Sequence, residues 1–141
     1  RSIASNNVTG SGTVYIVVFN AEVFDNNGDY NTSDGKFTAP VTGRYHFDAC
    51  IKLGGYSASI TRMYADFVTS NRQGQVMSEK GVAPETVTGQ GHYAFNFSVL
   101  VDMDASDTCH VDVVCAGLGS DTVDVTYNSQ PDTMFSGHLV A

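Results

Sequence analysis

The sequence predicts an all-β domain built as a sandwich or jelly roll. Apolar and polar residues alternate with a period of two along several segments, which is the pattern of half-buried strands. Glycine, asparagine and aspartate interrupt these segments at intervals of roughly 8–12 residues, as they do in known sandwiches. No segment carries apolar residues at helical spacing between capping residues.

Period-two alternation predicts the strands in chain order. In residues 43–53 the side chains that share one apolar face are Tyr45, Phe47, Ala49, Ile51 and Leu53. In residues 59–69 they are Met63, Ala65 and Phe67, and in residues 93–101 they are Tyr93, Phe95, Phe97, Val99 and Val101. Further strands are predicted at residues 108–116, 123–127 and 133–140.

Residues rich in glycine and asparagine mark the turns between these strands. Residues 26–29 and the pair Asp34-Gly35 favour tight turns, because glycine and asparagine tolerate a positive φ. The pair Gly54-Gly55 is predicted to end the strand that begins at Gly43. Residues 70–91 are polar and are predicted to form long loops around one short strand.

The segment from Val14 to Phe19 differs from the others because both of its faces are apolar. A strand buried on both faces normally lies in a parallel sheet covered by helices, and this sequence predicts no helices. Either a second copy of the chain covers the other face, or the segment is an edge strand beneath a loop. We favour the first interpretation, which predicts self-association.

Length and charge limit the possible functions. The 141 residues suit a single domain over residues 1–141, and 42% of them are apolar. The formal net charge is −8 with only seven lysines and arginines, so neither nucleic acid nor an anionic membrane surface is an expected partner. The longest apolar run, near residues 15–19, is far shorter than a spanning helix, so we expect no membrane insertion.

The three cysteines, Cys50, Cys109 and Cys115, do not form a self-contained disulfide framework because their number is odd. Cys109 and Cys115 lie in one predicted strand, roughly 20 Å apart at strand rise, which is too far for a disulfide. They alternate in step with Val111 and Val113, so we expect buried free thiols there. The sequence leaves the redox compartment open.

Aromatic and glycine residues recur at fixed spacings after the apolar segment. The spaced residues are Phe19, Asp25, Tyr30, Phe37 and Gly43, followed directly by Arg44-Tyr45-His46-Phe47. This arrangement resembles the signature of the C1q domain, and residues 35–43 and 135–139 are also similar to that family. Ala49 departs from the signature, which has phenylalanine or tyrosine there, and this indicates a smaller core side chain. The resemblance covers roughly residues 14–140.

The resemblance implies a ten-stranded antiparallel jelly-roll sandwich of the C1q/TNF kind, assembled as a homotrimer about a threefold axis. Residues 1–13 are then expected to lead in from an upstream stem, and Tyr15, Val17 and Phe19 to face the core. The expected trimer-interface residues are Val14, Ile16, Val18, Ser136 and His138. Three copies of His138 near the axis are expected to form hydrogen bonds in the interface or, alternatively, to coordinate an ion.

The sequence predicts no enzymatic activity and no cofactor. Cys109 and His110 are neighbours, but adjacent strand residues point to opposite faces and cannot act as nucleophile and base. Acidic residues in probable turns are weak candidates for Ca²⁺, and the alternative is that they are solvated turn residues. These acidic residues are Asp102, Asp104 and Asp107, together with Asp25 and Asp29.

Aromatic, amide and guanidinium groups on loops are common contacts to carbohydrate and protein ligands. The candidate ligand-binding residues are Tyr56, Arg62, Tyr64, Asn71, Arg72 and Gln73. Together with the family resemblance, these residues predict a recognition head at the C-terminal end of a fibrous protein. The head is expected outside the cell or on a virion surface, where it binds a surface glycan or protein receptor multivalently. Residues 8–13 and 99–104 resemble fibre-tip domains of bacteriophages and bacteria. Two alternatives stay open: a structural trimerisation cap without a ligand, and a secreted immune-recognition or cytokine-like ligand.

Overall fold

The computed structural model describes residues 3–71, 77–80, 91–127 and 132–140, and these contain eleven β-strands and no helix. The all-β prediction is confirmed. In the described part of the chain, therefore, no helix has the length and apolar character needed to cross a bilayer. In chain order the strands are β1 (Ser5–Thr9), β2 (Val14–Ile16), β3 (Tyr30–Asn31), β4 (Lys36–Thr38), β5 (Gly43–Tyr56), β6 (Arg62–Thr69), β7 (Met77–Lys80), β8 (Gly91–Met103), β9 (Thr108–Ala116), β10 (Val123–Val125) and β11 (Met134–Leu139).

Strand β5 is the centre of a five-stranded antiparallel sheet. Strand β8 pairs with one edge of β5 along almost its whole length. Two strands share the other edge: β11 lies beside residues 45–50, and β10 lies beside Leu53 and Gly54. Strand β1 pairs with the far side of β10, which completes the sheet.

Strand β9 is the centre of a six-stranded antiparallel sheet that packs against the first. Strand β6 pairs with one edge of β9, and β7 lies outside β6. Strands β2 and β4 share the other edge of β9, and β3 lies outside β4. Two antiparallel sheets face to face form the sandwich that the sequence predicts.

The predicted lead-in, residues 1–13, contributes to the sandwich because β1 lies within it. The loop after β1 is held by Asp121, whose carboxylate accepts hydrogen bonds from the backbone and hydroxyl of Ser11 and from the hydroxyl of Thr13. These hydrogen bonds, that of Thr13 first, lower the pKa of Asp121. The described residues thus form eleven strands, where the resemblance implied ten.

Alternation along the long strands places the predicted face inside the sandwich. The five predicted residues of β5, from Tyr45 to Leu53, are at most 6% exposed, and Met63, Ala65 and Phe67 of β6 are at most 1% exposed. Fully burying a large apolar side chain stabilises a fold by about 1.5–3 kcal/mol. The core between the sheets is therefore the main source of stability.

An aromatic cluster fills one end of this core. Phe47 is fully buried and lies 5.2–6.2 Å, between ring centroids, from four other aromatic rings. These four rings belong to Phe37, Tyr45, Phe67 and Phe135. Offset and edge-to-face contacts at such distances add to the stabilisation that burial alone provides.

The prediction that Gly54-Gly55 ends the strand is wrong. Strand β5 continues to Tyr56, and its register with β8 shifts between Leu53 and Tyr56. Gly55 adopts a φ of 72°, a conformation that glycine reaches without strain, and it allows a bulge at this point. Along β5 the odd-numbered residues from Tyr45 to Leu53 point inward. The bulge adds one residue to this alternation, so Tyr56 also points inward.

Strand β2 and the residues after it alternate as predicted, with Val17 and Phe19 buried and Val14 exposed. The turn between β3 and β4 covers part of the outer side. A Cβ placed on Gly35 would lie 3.3 Å from the Cα of Val18 and 3.4 Å from a methyl group of Ile16. A turn of the same chain therefore covers part of this face near Ile16 and Val18, as in the alternative interpretation, and coverage of the rest by another copy stays a prediction.

All three cysteines are free thiols, which was predicted for Cys109 and Cys115 only. Cys109 and Cys115 are fully buried in the core, whereas Cys50 is half-buried on the outer face of β5. The Sγ of Cys50 donates a weak hydrogen bond to the carbonyl oxygen of Asp132 at 3.3 Å. Desolvation, followed by the nearby Asp132 carboxylate, raises the pKa of Cys50.

Candidate functional site

The outer face of the five-stranded sheet brings together polar, ionisable and apolar side chains. Residues directly opposite each other in an antiparallel pair point to the same side, so the register defines rows across the sheet. The rows, read from β11 through β5 to β8, are His138–His46–Leu100, Ser136–Asp48–Ser98 and Met134–Cys50–Asn96.

The structure separates the five predicted interface residues into two groups. Ser136 and His138 are exposed on the five-stranded sheet. Val14 and Ile16 lie on β2, and β2 belongs to the six-stranded sheet, whose outer face points the opposite way. The expectation that β2, together with Val18 beyond it, faces the same way as the last strand is therefore wrong. Alternation along a strand assigns a side chain to one of two faces but does not say which sheet the strand joins.

Two histidines meet on the outer face of the five-stranded sheet. His46 and His138 are direct partners across β5 and β11, and their ring centroids lie 5.4 Å apart at an interplanar angle of 55°. The Nδ1 atom of His46 lies 3.2 Å from Oδ2 of Asp48, two residues along the same face. The sequence pointed to His138 but did not pair it with His46, because that contact depends on the register of β11.

The same face carries exposed apolar side chains. Leu100 on β8 is 57% exposed and Met134 on β11 is 49% exposed. Strand β11 ends the sheet beside residues 45–50, and five of its six residues are exposed. Among the described residues, no strand pairs with the outer edge of β11.

A groove of about 640 Å³ opens next to this edge strand. Its floor contains Phe19, Tyr30 and Phe135, whose ring centroids lie 5.5–6.3 Å apart. Its rim contains Val23 and Phe24, which are 93% and 76% exposed. The core of the sandwich thus continues into an open apolar groove at the edge of β11.

The predicted ligand-binding residues do not form one cluster. The guanidinium of Arg62 lies 4.7 Å from the centroid of the Tyr64 ring, a cation–π distance, and both residues are on β6. Asn71 is exposed after the end of β6, and Arg72 and Gln73 lie outside the described residues. Tyr56 is only 2% exposed, so the prediction that it lies on an exposed loop is wrong; the bulge in β5 buries it.

The carboxylate of Asp107 is occupied in fixing the turn between β8 and β9. Its Oδ2 accepts a 2.8 Å hydrogen bond from the backbone N–H of Asp104, and its Oδ1 accepts one from the hydroxyl of Ser70 at 3.2 Å. Asp102 lies opposite Arg44 in the sheet. Across the described ranges, no three His, Cys, Asp or Glu side chains are placed to hold a metal ion together.

Asp25 has a similar role in its own turn. Its carboxylate accepts hydrogen bonds from the backbone N–H groups of Asn27, Gly28 and Tyr30 at 2.9–3.2 Å. These hydrogen bonds, that of Tyr30 first, lower the pKa of Asp25. The arrangement is that of an Asx turn, which explains an aspartate at this position without a metal.

The outer face of the six-stranded sheet contains a second histidine–aspartate contact. Cys109 is fully buried and His110 points outward, so the prediction that they face opposite ways is confirmed. The Nε2 atom of His110 lies 3.3 Å from Oδ1 of Asp112, and the two side chains are 15% and 16% exposed. Sequence reasoning missed this pair, although two-residue spacing within a strand is a signal for a shared face.

Comparison with known proteins gives the family. The profile described as "C1q domain" matches residues 2–140. The globular domain of zebrafish complement 1qA protein superimposes with a TM-score of 0.62 at 16% identity, covering 99% of this chain and 94% of that chain.

A curated relative agrees with this result. A complement C1q subcomponent protein of Rattus norvegicus is 33% identical over 66 residues, which cover 41% of this chain and 26% of the relative. The match therefore spans about a quarter of the relative's length. Because the family profile extends over nearly all residues, the chain belongs to the C1q domain family.

Proposed function

We propose that this chain is a non-enzymatic homotrimeric recognition head at the C-terminal end of a fibrous protein. It binds a surface glycan or a protein multivalently, outside the cell or on a virion. The observation that carries the proposal is the exposed apolar surface on the five-stranded sheet, around Leu100, Met134 and the edge of β11.

Exposed apolar surface of this kind favours association between copies of the chain. Leu139, the last residue of β11, is 47% exposed and lines the apolar groove, and Val140 directly after it is 53% exposed. Apolar side chains are thus exposed both on the sheet face, at Leu100 and Met134, and at the edge of β11. Contiguous apolar patches on a soluble domain are typical of protein interfaces. We therefore assign the trimer contact to this sheet, together with Ser136 and His138, and not to Val14, Ile16 and Val18.

A closed trimer suits this placement. A heterologous contact, in which one surface of the chain meets a different surface of the next copy, closes into a ring when each step rotates by a third of a turn. The groove beside β11 and the flat outer face of the sheet are two such different surfaces. Three copies would bury both at once and leave the loops free for a ligand.

A pair of aspartate substitutions tests the assembly. Leu100 and Val14 are both 57% exposed, but they lie on opposite sheets. Leu100→Asp places an unpaired charge in the proposed interface, where desolvation is costly, and we expect it to dissociate the trimer. Val14→Asp is the matched control and should leave the trimer intact. Light scattering measures the molar mass in solution, which distinguishes a trimer from a single chain of 15.0 kDa.

Each outcome decides one part of the proposal. If only Val14→Asp dissociates the trimer, the interface lies at β2 and not on the five-stranded sheet. A wild-type chain that stays monomeric at high concentration would remove the trimer altogether. A trimer that binds neither glycan nor protein would support the structural cap, and recognition of a soluble protein receptor would support the immune or cytokine-like alternative.

A further inference from the structure

We propose that His46 and His138 form a binding site for a divalent transition-metal ion of the nickel, copper and zinc class. The site lies within one protomer, on the outer face of the five-stranded sheet. It goes beyond the recognition function and does not depend on the trimer.

The spacing of the two rings suits a shared ion. A metal ion bound to one imidazole nitrogen at about 2.1 Å lies about 3.2 Å from the ring centroid. Two rings that hold one ion at a tetrahedral angle therefore have centroids about 5.2 Å apart. The centroids of His46 and His138 are 5.4 Å apart, so the spacing of the two rings is close to that of a pair sharing one ion.

The backbone already fixes this spacing. His46 and His138 are direct partners in the antiparallel pair of β5 and β11, and the partners on both sides, from Cys50↔Met134 to Tyr45↔Leu139, remain in register. Direct cross-strand partners keep their Cβ atoms about 4.5–5.5 Å apart. Folding therefore already holds the two Cβ atoms at a suitable distance, and metal binding has to fix only the side-chain rotamers.

A carboxylate orients one of the two ligands. The Nδ1 atom of His46 lies 3.2 Å from Asp48 Oδ2, which favours the tautomer with its proton on Nδ1. The lone pair is then on Nε2, the nitrogen that remains for a metal. Histidines that bind metals commonly have such a carboxylate on the other ring nitrogen, where it also increases ligand basicity.

The donor set selects the class of ion. Two imidazole nitrogens suit nickel, copper and zinc better than calcium or magnesium, which prefer oxygen. Within the described residues no third His, Cys, Asp or Glu side chain completes the site. In the single chain, where His138 is exposed, water is expected at the remaining positions. In the proposed trimer this face lies in the contact, and groups of a neighbouring copy then take the place of some of that water.

Isothermal titration of the full chain with NiCl₂, and separately with ZnCl₂, tests the proposal. We expect one ion per protomer for the wild type. His46→Gln and His138→Gln should each weaken binding at least about tenfold, and Asp48→Asn should weaken it by about tenfold through the lost orientation of His46. His92→Gln changes an exposed histidine of β8 on the same sheet and should leave the affinity within about twofold.

Three results would overturn the site: no binding by the wild type at about 1 mM metal, undiminished binding by both glutamine variants, or equal losses in His92→Gln. Circular dichroism of each variant verifies that the fold is retained. Light scattering of the same samples records the oligomeric state. A monomeric chain that binds the ion would contradict only the proposed assembly. A monomeric chain that does not bind it would contradict both proposals, and a trimer that binds no ion, even after dilution to single chains, would contradict only the metal site.

Discussion

Burial determines the acidity of the two core thiols. Cys109 and Cys115 are 0% exposed, and desolvation raises the pKa of each from 9.0 to about 12. A thiolate in this core would lose its hydration without a compensating partner. The folded chain therefore keeps both thiols neutral at pH values where the unfolded chain ionises them.

We predict a loss of stability in alkaline solution from these two thiols. Their folded-state pKa lies above the unfolded value, so their contribution is complete below about pH 9 and is lost as the pH rises from about 9 to 12. Each thiol should lower the free energy of unfolding by about 1 kcal/mol per pH unit within that window. Urea denaturation at neutral pH and at several points above pH 9 measures the slope.

The double variant Cys109→Ala, Cys115→Ala is the control for this slope. It is expected to be less stable than the wild type at neutral pH, since two core side chains become smaller. Its stability should nevertheless fall less steeply above pH 9. An unchanged slope in the double variant would assign the alkaline loss to other groups, such as Tyr56, whose pKa is also raised by burial.

At the scale of the strand, alternation predicted the long elements well. Strands β5, β6, β8 and β9 each bury one face against the opposite sheet, so a period of two is visible in the sequence. Tyr56 is the exception. Its inward orientation depends on the bulge at Gly54-Gly55, and two adjacent glycines are equally compatible with the end of a strand.

Pairing between distant strands was not predictable from local patterns. The meeting of His46 with His138, and the membership of Val14 in the six-stranded sheet, both depend on which strands become neighbours. A local pattern assigns a side chain to an inner or outer face without naming the sheet. This is why the predicted interface mixed residues from two opposite surfaces.

Strand β11 is held close to β5 by a glycine. Gly137 lies opposite Phe47, and a Cβ on Gly137 would lie 2.6 Å from Cε1 of that ring. Phe47 is fully buried among aromatic neighbours, so an added methyl group would force the ring or strand β11 to shift. We predict that Gly137→Ala lowers the free energy of unfolding by about 1–3 kcal/mol, measured by urea denaturation.

Gly119→Ala, in the loop between β9 and β10, is the control for Gly137→Ala. A Cβ on Gly119 has no atom within 4 Å, so the change should alter stability by less than about 1 kcal/mol. Equal stability of the two alanine variants would mean that β11 can move away from β5 at little cost. The His46–His138 spacing would then also be adjustable.

At the scale of the whole molecule, trimerisation changes how a weak site performs. If the predicted residues Arg62 and Tyr64 contact a ligand, each copy of the chain offers one cation and one aromatic ring, 4.7 Å apart. A site of only two side chains is expected to bind weakly by itself. Three copies held in one rigid particle raise the effective concentration of the second and third contacts, and avidity can exceed single-site affinity by about 10²–10⁴.

Multivalency predicts how three forms of the protein behave on a glycan array. The wild-type trimer should bind densely spotted surface glycans, and the dissociated Leu100→Asp variant should bind the same spots at least about 10² more weakly, because its single site has no neighbours. Arg62→Ala should remain trimeric and still lose binding, since it removes the guanidinium but no interface residue.

Equal signals from trimer and monomer would contradict multivalency, and full binding by Arg62→Ala would place the ligand site elsewhere. If the wild type binds no glycan at all, the glycan-binding adhesin fails, and the same three proteins then discriminate between a protein receptor and a cap without a ligand.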